Sequence, residues 1–186
     1  MQAEINKALE ILRTGGLILY PTDTVWGIGC DATNPEAVKK VYELKKREDS
    51  KALICLVADD RMLKKYVKQV PLVALNIIEV TDKPTTIIYD DAQNLADNLV
   101  AEDGTIAIRI PDDEFCYQLT RRLNGAIVST SANISGEPTP KSYKEISPEV
   151  LKGVDYVVNL HHEKKCDKPS SIIKLSNNGV VKIIRP

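Results

Sequence analysis

The sequence lacks any apolar run long enough to cross a bilayer. Its longest strongly apolar stretch, Ala52 to Ala58, is far short of the ~20 residues that a spanning helix needs. The opening Met1-Gln2-Ala3-Glu4-Ile5-Asn6-Lys7 has neither the basic start nor the apolar stretch of a secretory signal, so the expectation is a cytoplasmic protein with no membrane association. No C-x-x-C occurs among Cys30, Cys55, Cys116 and Cys166, which speaks against a zinc ribbon or a thioredoxin-type pair. Reduced thiols are expected, with Cys30 and Cys55 in apolar, core-like contexts. Charge of one sign is also missing: 25 Lys and Arg face 26 Asp and Glu, for a net charge of -1. A protein coated for nucleic acid would carry a marked basic excess, so only a local basic groove is compatible with this composition. Finally, neither G-x-x-x-x-G-K-[ST] nor G-x-G-x-x-G is present, and any nucleotide must be held without a Walker or Rossmann loop.

What is present is an ordinary globular composition, 43% hydrophobic and 27% charged, in 186 residues. That length suits one domain of about 100–200 residues. Ile5, Ala8, Leu9 and Leu12 have helical spacing, stopped by Gly15-Gly16 before the strand Leu17 to Tyr20. Pro21 to Thr24 breaks that strand, and Val25 to Cys30 reads as a loop in which Gly27 and Gly29 permit a bend or a close backbone approach. Asn34-Pro35 is a helix start, with Ala37, Val38, Val41 and Leu44 as its apolar face and Lys45 and Arg47 at its end. Alternating apolar runs and helical patterns follow. Strands are expected near 53–57, 85–89, 105–110, 126–130, 154–160, 170–175 and 180–184, and helices near 60–67, 71–80 and 115–123. No repeat or linker divides the chain, and the alternation predicts an α/β fold with a mixed sheet.

Polar groups recur at the ends of the apolar runs, where α/β sheets place ligand-binding residues. Five places stand out: Thr22-Asp23-Thr24; Lys45-Lys46-Arg47 with Lys51; Arg109 in the apolar strand 106–111; Ser129 to Gly136; and Ser170-Ser171, with Arg185 at the far end of the chain. An arginine in so apolar a strand requires an anionic partner. Each place also has an ordinary structural reading. Thr22 and Asp23 suit a turn or cap, Lys45 to Arg47 a solvated helix end, and Ser131 to Gly136 a hydrogen-bonded loop. His161-His162 with Cys166 reads as a solvated segment of a Lys-rich loop, and no metal-ligating set is expected.

Taken together, the segments resemble one family. Tyr20-Pro21-Thr22-Asp23-Thr24-Val25-Trp26-Gly27-Ile28-Gly29-Cys30 is similar to the opening motif of the YrdC/TsaC threonylcarbamoyl-AMP synthases. Lys45-Lys46-Arg47 with Lys51 resembles the family's K-x-R segment, and Ser131-Ala132-Asn133-Ile134-Ser135-Gly136 its S-x-N segment. Ile106 to Pro111, Ser170-Ser171-Ile172 and Arg185-Pro186 resemble further family strands, in the family's order. Glu48 and Ala52 stand where the family has prolines, Lys83-Pro84-Thr85-Thr86 replaces its P-G-P-x-T, and Trp26 replaces a Tyr or Phe.

The resemblance implies a YrdC-like domain over 1–186, a twisted mixed sheet flanked by helices, in the short form without an added C-terminal domain. It implies a synthase that makes threonylcarbamoyl-AMP and pyrophosphate from L-threonine, bicarbonate and ATP, for modification of the adenosine next to a tRNA anticodon. Lys45, Arg47, Ser131 and Asn133 would form the catalytic tetrad. Arg47, Lys51, Thr86, Ser131 and Arg185 would hold the nucleotide, and Thr24, Arg109 and Ser170 the threonine, Arg109 through the amino acid's carboxylate. Mg²⁺ is expected on the phosphates, and tRNA or a downstream tRNA-modifying complex as partner. Two alternatives stay open at this point: a non-catalytic module for tRNA or double-stranded RNA, and a carbamoyl-transfer domain of the kind found in hydrogenase-maturation proteins. Near-neutral charge and few aromatics weigh against the first, and the short chain against the second.

Overall fold

The computed structural model describes residues 1–47, 53–166 and 168–186. Nine strands form one mixed sheet: β1 Ile18–Tyr20, β2 Gly27–Gly29, β3 Ile54–Leu56, β4 Thr85–Tyr89, β5 Ile106–Arg109, β6 Ile127–Ser131, β7 Tyr156–Val157, β8 Ser171–Leu175 and β9 Val181–Arg185. They lie in the order β7-β1-β2-β6-β3-β5-β4-β8-β9. The pairs β1/β7, β3/β5 and β4/β8 are parallel, and the other five are antiparallel.

Six α-helices are present among the described residues: α1 Gln2–Arg13, α2 Pro35–Lys45, α3 Asp60–Tyr66, α4 Leu72–Val80, α5 Glu114–Leu123 and α6 Pro148–Gly153. Their starts follow from local chemistry. The Asn34 side chain accepts from the amides of Glu36 and Ala37 with Pro35 at the first helical position, and Asp59 and Asp113 cap α3 and α5 in the same way.

Successive strand residues point to opposite sides of a sheet, and that alternation sorts this molecule into two cores. Leu19, Ile28, Cys55, Ile87, Ile108 and Val128 join the large cluster that includes Val38, Val41, Leu63 and Val150 from α2, α3 and α6. Ile18, Tyr20, Leu56 and Ile127 point the other way, into a smaller cluster with Ile5, Leu9 and Leu12 of α1 and Phe115 and Leu119 of α5. α1 and α5 cover only one end of that second face. Further along it Ile54, Ala107, Ile88 and Ile172 are left lining a cavity.

Two sequence expectations are corrected. Gly27 to Gly29 is a strand rather than loop, because a neighbour occupies the space that side chains would need. A Cβ at Gly29 would stand 2.6 Å from the Tyr20 ring and 2.7 Å from the Val128 carbonyl oxygen. The expected strand over 154–160 shrinks to Tyr156–Val157, preceded by the short helix α6.

Candidate active site

The uncovered part of the sheet holds a cavity of about 300 Å³. Six of the residues given a catalytic or binding role in the sequence line it, Thr24, Arg47, Arg109, Ser131, Ser170 and Arg185, together with Ser129 and Thr130 of the fourth place. Its floor is apolar (Ile54, Ala107, Ile88, Ile172) and its cations stand around it, a combination suited to a ligand with an apolar ring and an anionic tail.

The end of α2 aims the first cation. Lys46 adopts a left-handed conformation (φ 50°), its amide and that of Arg47 returning to the Glu43 and Tyr42 carbonyls. The chain therefore turns sharply between Lys45, which points back into the protein and is 2% exposed, and Arg47, which reaches the cavity. Burial lowers the Arg47 pKa, with the Tyr42 phenol acting the other way.

Lys45 does not line the cavity. Its ammonium donates to the carbonyls of Ser131 (2.6 Å) and Asn133 (2.7 Å) and, at longer range, to Asn133 Oδ1 (3.5 Å). Burial first, and the Arg47 charge second, lower its pKa to about 8. Asn133 is half-buried and does not line the cavity either, its amide nitrogen donating to the carbonyls of Ile134 (3.1 Å) and Glu137 (2.7 Å).

Arg109 at the end of β5 meets the anion that its apolar strand demanded. Nη1 pairs with Asp23 at 2.5 Å, and Nη2 donates to Thr24 Oγ1 at 3.3 Å. The second Asp23 oxygen accepts from the Asp112 amide. Asp23 is thus more than a turn residue: it joins the loop after β1 to β5. Thr22 Oγ1 accepts from the Thr24 amide and donates to the Val25 carbonyl, which fixes Thr24 beside the arginine.

Thr86 is fully buried and reaches the site only through Ser170, their hydroxyls 2.7 Å apart. The Ser170 carbonyl in turn accepts both Nε (2.9 Å) and Nη2 (2.7 Å) of Arg185, so β4, β8 and β9 orient one another's polar groups. Partial burial lowers the Arg185 pKa. Lys51 lies outside the described residues, as do Glu48 and Ala52. The reading missed Thr139, which also lines the cavity. It sits between two prolines outside every apolar pattern, and nothing local marks it.

Among the described residues, His161, His162 and Cys166 belong to no group of three or more potential metal ligands. His162 instead stacks on Tyr143, ring centroids 4.0 Å apart, and both rings pack against Trp26. All four cysteines are buried, and no disulfide joins any two of them. No helix among the described residues is long and apolar enough to cross a membrane.

The Sua5/YciO/YrdC family model, described as "Telomere recombination", matches residues 10–186. The chain belongs to this family. A Methanocaldococcus jannaschii member is 38% identical over 186 residues, covering 98% of this chain and 87% of its own, and carries the name threonylcarbamoyl-AMP synthase provisionally. A Stenotrophomonas maltophilia member named threonylcarbamoyl-AMP synthase is 32% identical over 158 residues, covering 83% and 85%. Among solved structures, E. coli YciO superposes with a TM-score of 0.86 at 26% identity, over 100% of this chain and 89% of that one. P. abyssi Sua5 complexed with L-threonine gives 0.83 at 25% identity, over 94% of this chain. The match spans only 52% of that Sua5 chain. The family's sheet and helices are those described above, and its members' names point to an enzyme.

Proposed function

We propose that the protein is an L-threonylcarbamoyladenylate synthase, a nucleotidyltransferase that works in the cytoplasm. The observation that carries this reading is the convergence of Arg47, Arg109 and Arg185 with Ser131 and Ser170 around one apolar-floored cavity, in a chain whose relatives carry that name. ATP, threonine and bicarbonate are all anionic or carry a carboxylate, so a site uniting them must offset their repulsion with fixed cations and donors.

In this reading the adenine ring lies on the Ile54, Ala107, Ile88 and Ile172 floor. Arg47, Ser131 and Arg185 hold the nucleotide, with Lys51 as a further nucleotide ligand and Thr86 acting through Ser170. Thr24, Ser170 and Arg109 hold threonine, Arg109 facing its carboxylate. The threonine amine attacks bicarbonate carbon; a C–N bond forms, water leaves and a carbamate results. One carbamate oxygen then attacks the α-phosphorus of ATP, and the bond to the bridging oxygen breaks to release pyrophosphate. Mg²⁺ travels on the phosphates and offsets their charge; the Asp23 carboxylate, already engaged by Arg109 and the Asp112 amide, is not needed to hold it. The adenylate then passes to a tRNA-modifying partner.

The test is pyrophosphate release from ATP by purified protein, with threonine and bicarbonate omitted in turn and serine as comparison amino acid. Release that needs both supports the synthase. Release indifferent to either, or none beside an active control enzyme, removes it, and salt-sensitive RNA binding without turnover would put an RNA-binding module in its place.

A further inference from the structure

The four polar positions of the K-x-R and S-x-N segments fall into two pairs in space. Arg47 and Ser131 line the cavity, and Lys45 and Asn133 do not. We propose that Lys45 and Asn133 are positioning residues: they clasp the turn after β6 to the end of α2, and so set the distance between Arg47 and Ser131.

The hydrogen-bond inventory supports this division. A lysine ammonium has three N–H donors, and Lys45 has three acceptors within 3.5 Å, all from Ser131 and Asn133. Both amide hydrogens of Asn133 have carbonyl partners inside the same turn. The clasp is closed from the other side by the Ser135 amide, which donates to the Lys45 carbonyl at 2.9 Å. With Lys45 2% exposed, no donor of this pair is left over for a phosphate or carboxylate. The two-residue spacing in each segment has the same origin. One residue anchors the wall, and the other, two places along, presents its side chain to the cavity.

This inference rests on the cavity being the reaction site, but part of its test does not. Lys45→Met, Asn133→Ala and the double variant are compared for amide hydrogen exchange across 131–137, which requires no turnover, and for kcat and KM in pyrophosphate release. A clasp predicts faster exchange in that turn in each variant, kcat lowered about a hundredfold with the KM for ATP little changed, and a double variant no worse than the poorer single one. Lys45→Arg, which keeps a cation and several donors, should restore part of the exchange protection. A KM for ATP rising a hundredfold with unaltered exchange would make Lys45 a nucleotide ligand and overturn the proposal. So would two fully additive losses. Should Lys45→Met fail to fold, Asn133→Ala alone decides, its position being only half-buried. A wild-type protein that releases no pyrophosphate would overturn the proposed function, while the exchange comparison still reports on the clasp.

Discussion

Arg109 and Arg185 line the same cavity, yet their charges are handled differently. Arg109 is 4% exposed and meets an internal carboxylate, Asp23, itself 10% exposed. Arg185 is half-buried and spends its bonds on a neutral carbonyl, that of Ser170. The Asp23 partner cancels much of the field of Arg109 and makes it part of the framework; Arg185 is braced without being neutralised. A guanidinium held by a carbonyl keeps its charge for an incoming anion, whereas one held by a carboxylate must share it. The nucleotide side of the cavity is accordingly its electrostatically open side, and the side assigned to threonine is the rigid one.

The largest effect expected from this contrast is on the open side. Arg47→Ala should lower pyrophosphate release by at least about a hundredfold, the usual cost of removing one preorganised donor to a developing charge; a wild-type rate would remove Arg47 from the chemistry. On the rigid side, Asp23→Ala should cost about 3–5 kcal/mol in chemical denaturation by stranding a buried guanidinium, with much of that recovered in Asp23→Ala combined with Arg109→Met. Arg185→Met should show the opposite profile. Binding of a non-hydrolysable ATP analogue should weaken by about tenfold, the value of one charge-assisted bond, with a smaller stability loss than Asp23→Ala. An Arg185→Met protein as unstable as Asp23→Ala would erase the contrast.

A pH experiment sharpens it further. With its pKa lowered to about 8 by burial and by Arg47, the Lys45 ammonium loses its proton, and one of its three donors, as pH rises through 8. Its folded pKa lies below that of the unfolded chain, so the unfolded state binds more protons in the alkaline window above 8, and this group raises stability there. Activity should therefore fall through pH 8 while the melting temperature does not, and Lys45→Arg should flatten the fall. The ionisable groups around it are Arg47 and Tyr42 on its own segment and Glu137 across the turn, which acts on Lys46. A parallel loss of melting temperature would contradict this assignment. The smallest effect belongs to the exposed Lys64–Asp60 pair, whose removal should change stability by no more than about 0.5 kcal/mol.

Much of the sheet was legible because its strands are short apolar or β-branched runs bounded by turn formers, and α2, α3 and α5 carry side-chain caps. Ile87 and Tyr89 against Thr86 and Ile88 display the two faces of β4 directly, and Asn34-Pro35 announced α2. Gly27 to Gly29 was hidden because glycine has no strand propensity of its own, and its reason for being there is a tyrosine ring contributed by the adjacent strand. α6 was hidden because it is six residues long and fully buries only Val150. At the site, the need of Arg109 for an anion could be read from its apolar strand, but the identity of that anion could not, since Asp23 is 86 residues away. The inward turn of Lys45 was equally out of reach, because periodicity gives a helix face and not the direction of the chain beyond its last turn.

The left-handed Lys46 carries a consequence for sequence variation. Its own ammonium pairs with Glu149 on the exposed surface, where such pairs contribute little, so the middle position of K-x-R is selected by its backbone and not by its chemistry. A degenerate library at position 46, screened for growth or turnover, should return glycine and asparagine beside lysine. It should exclude valine and isoleucine, whose branched side chains would resist φ 50° and swing both neighbours out of aim at once.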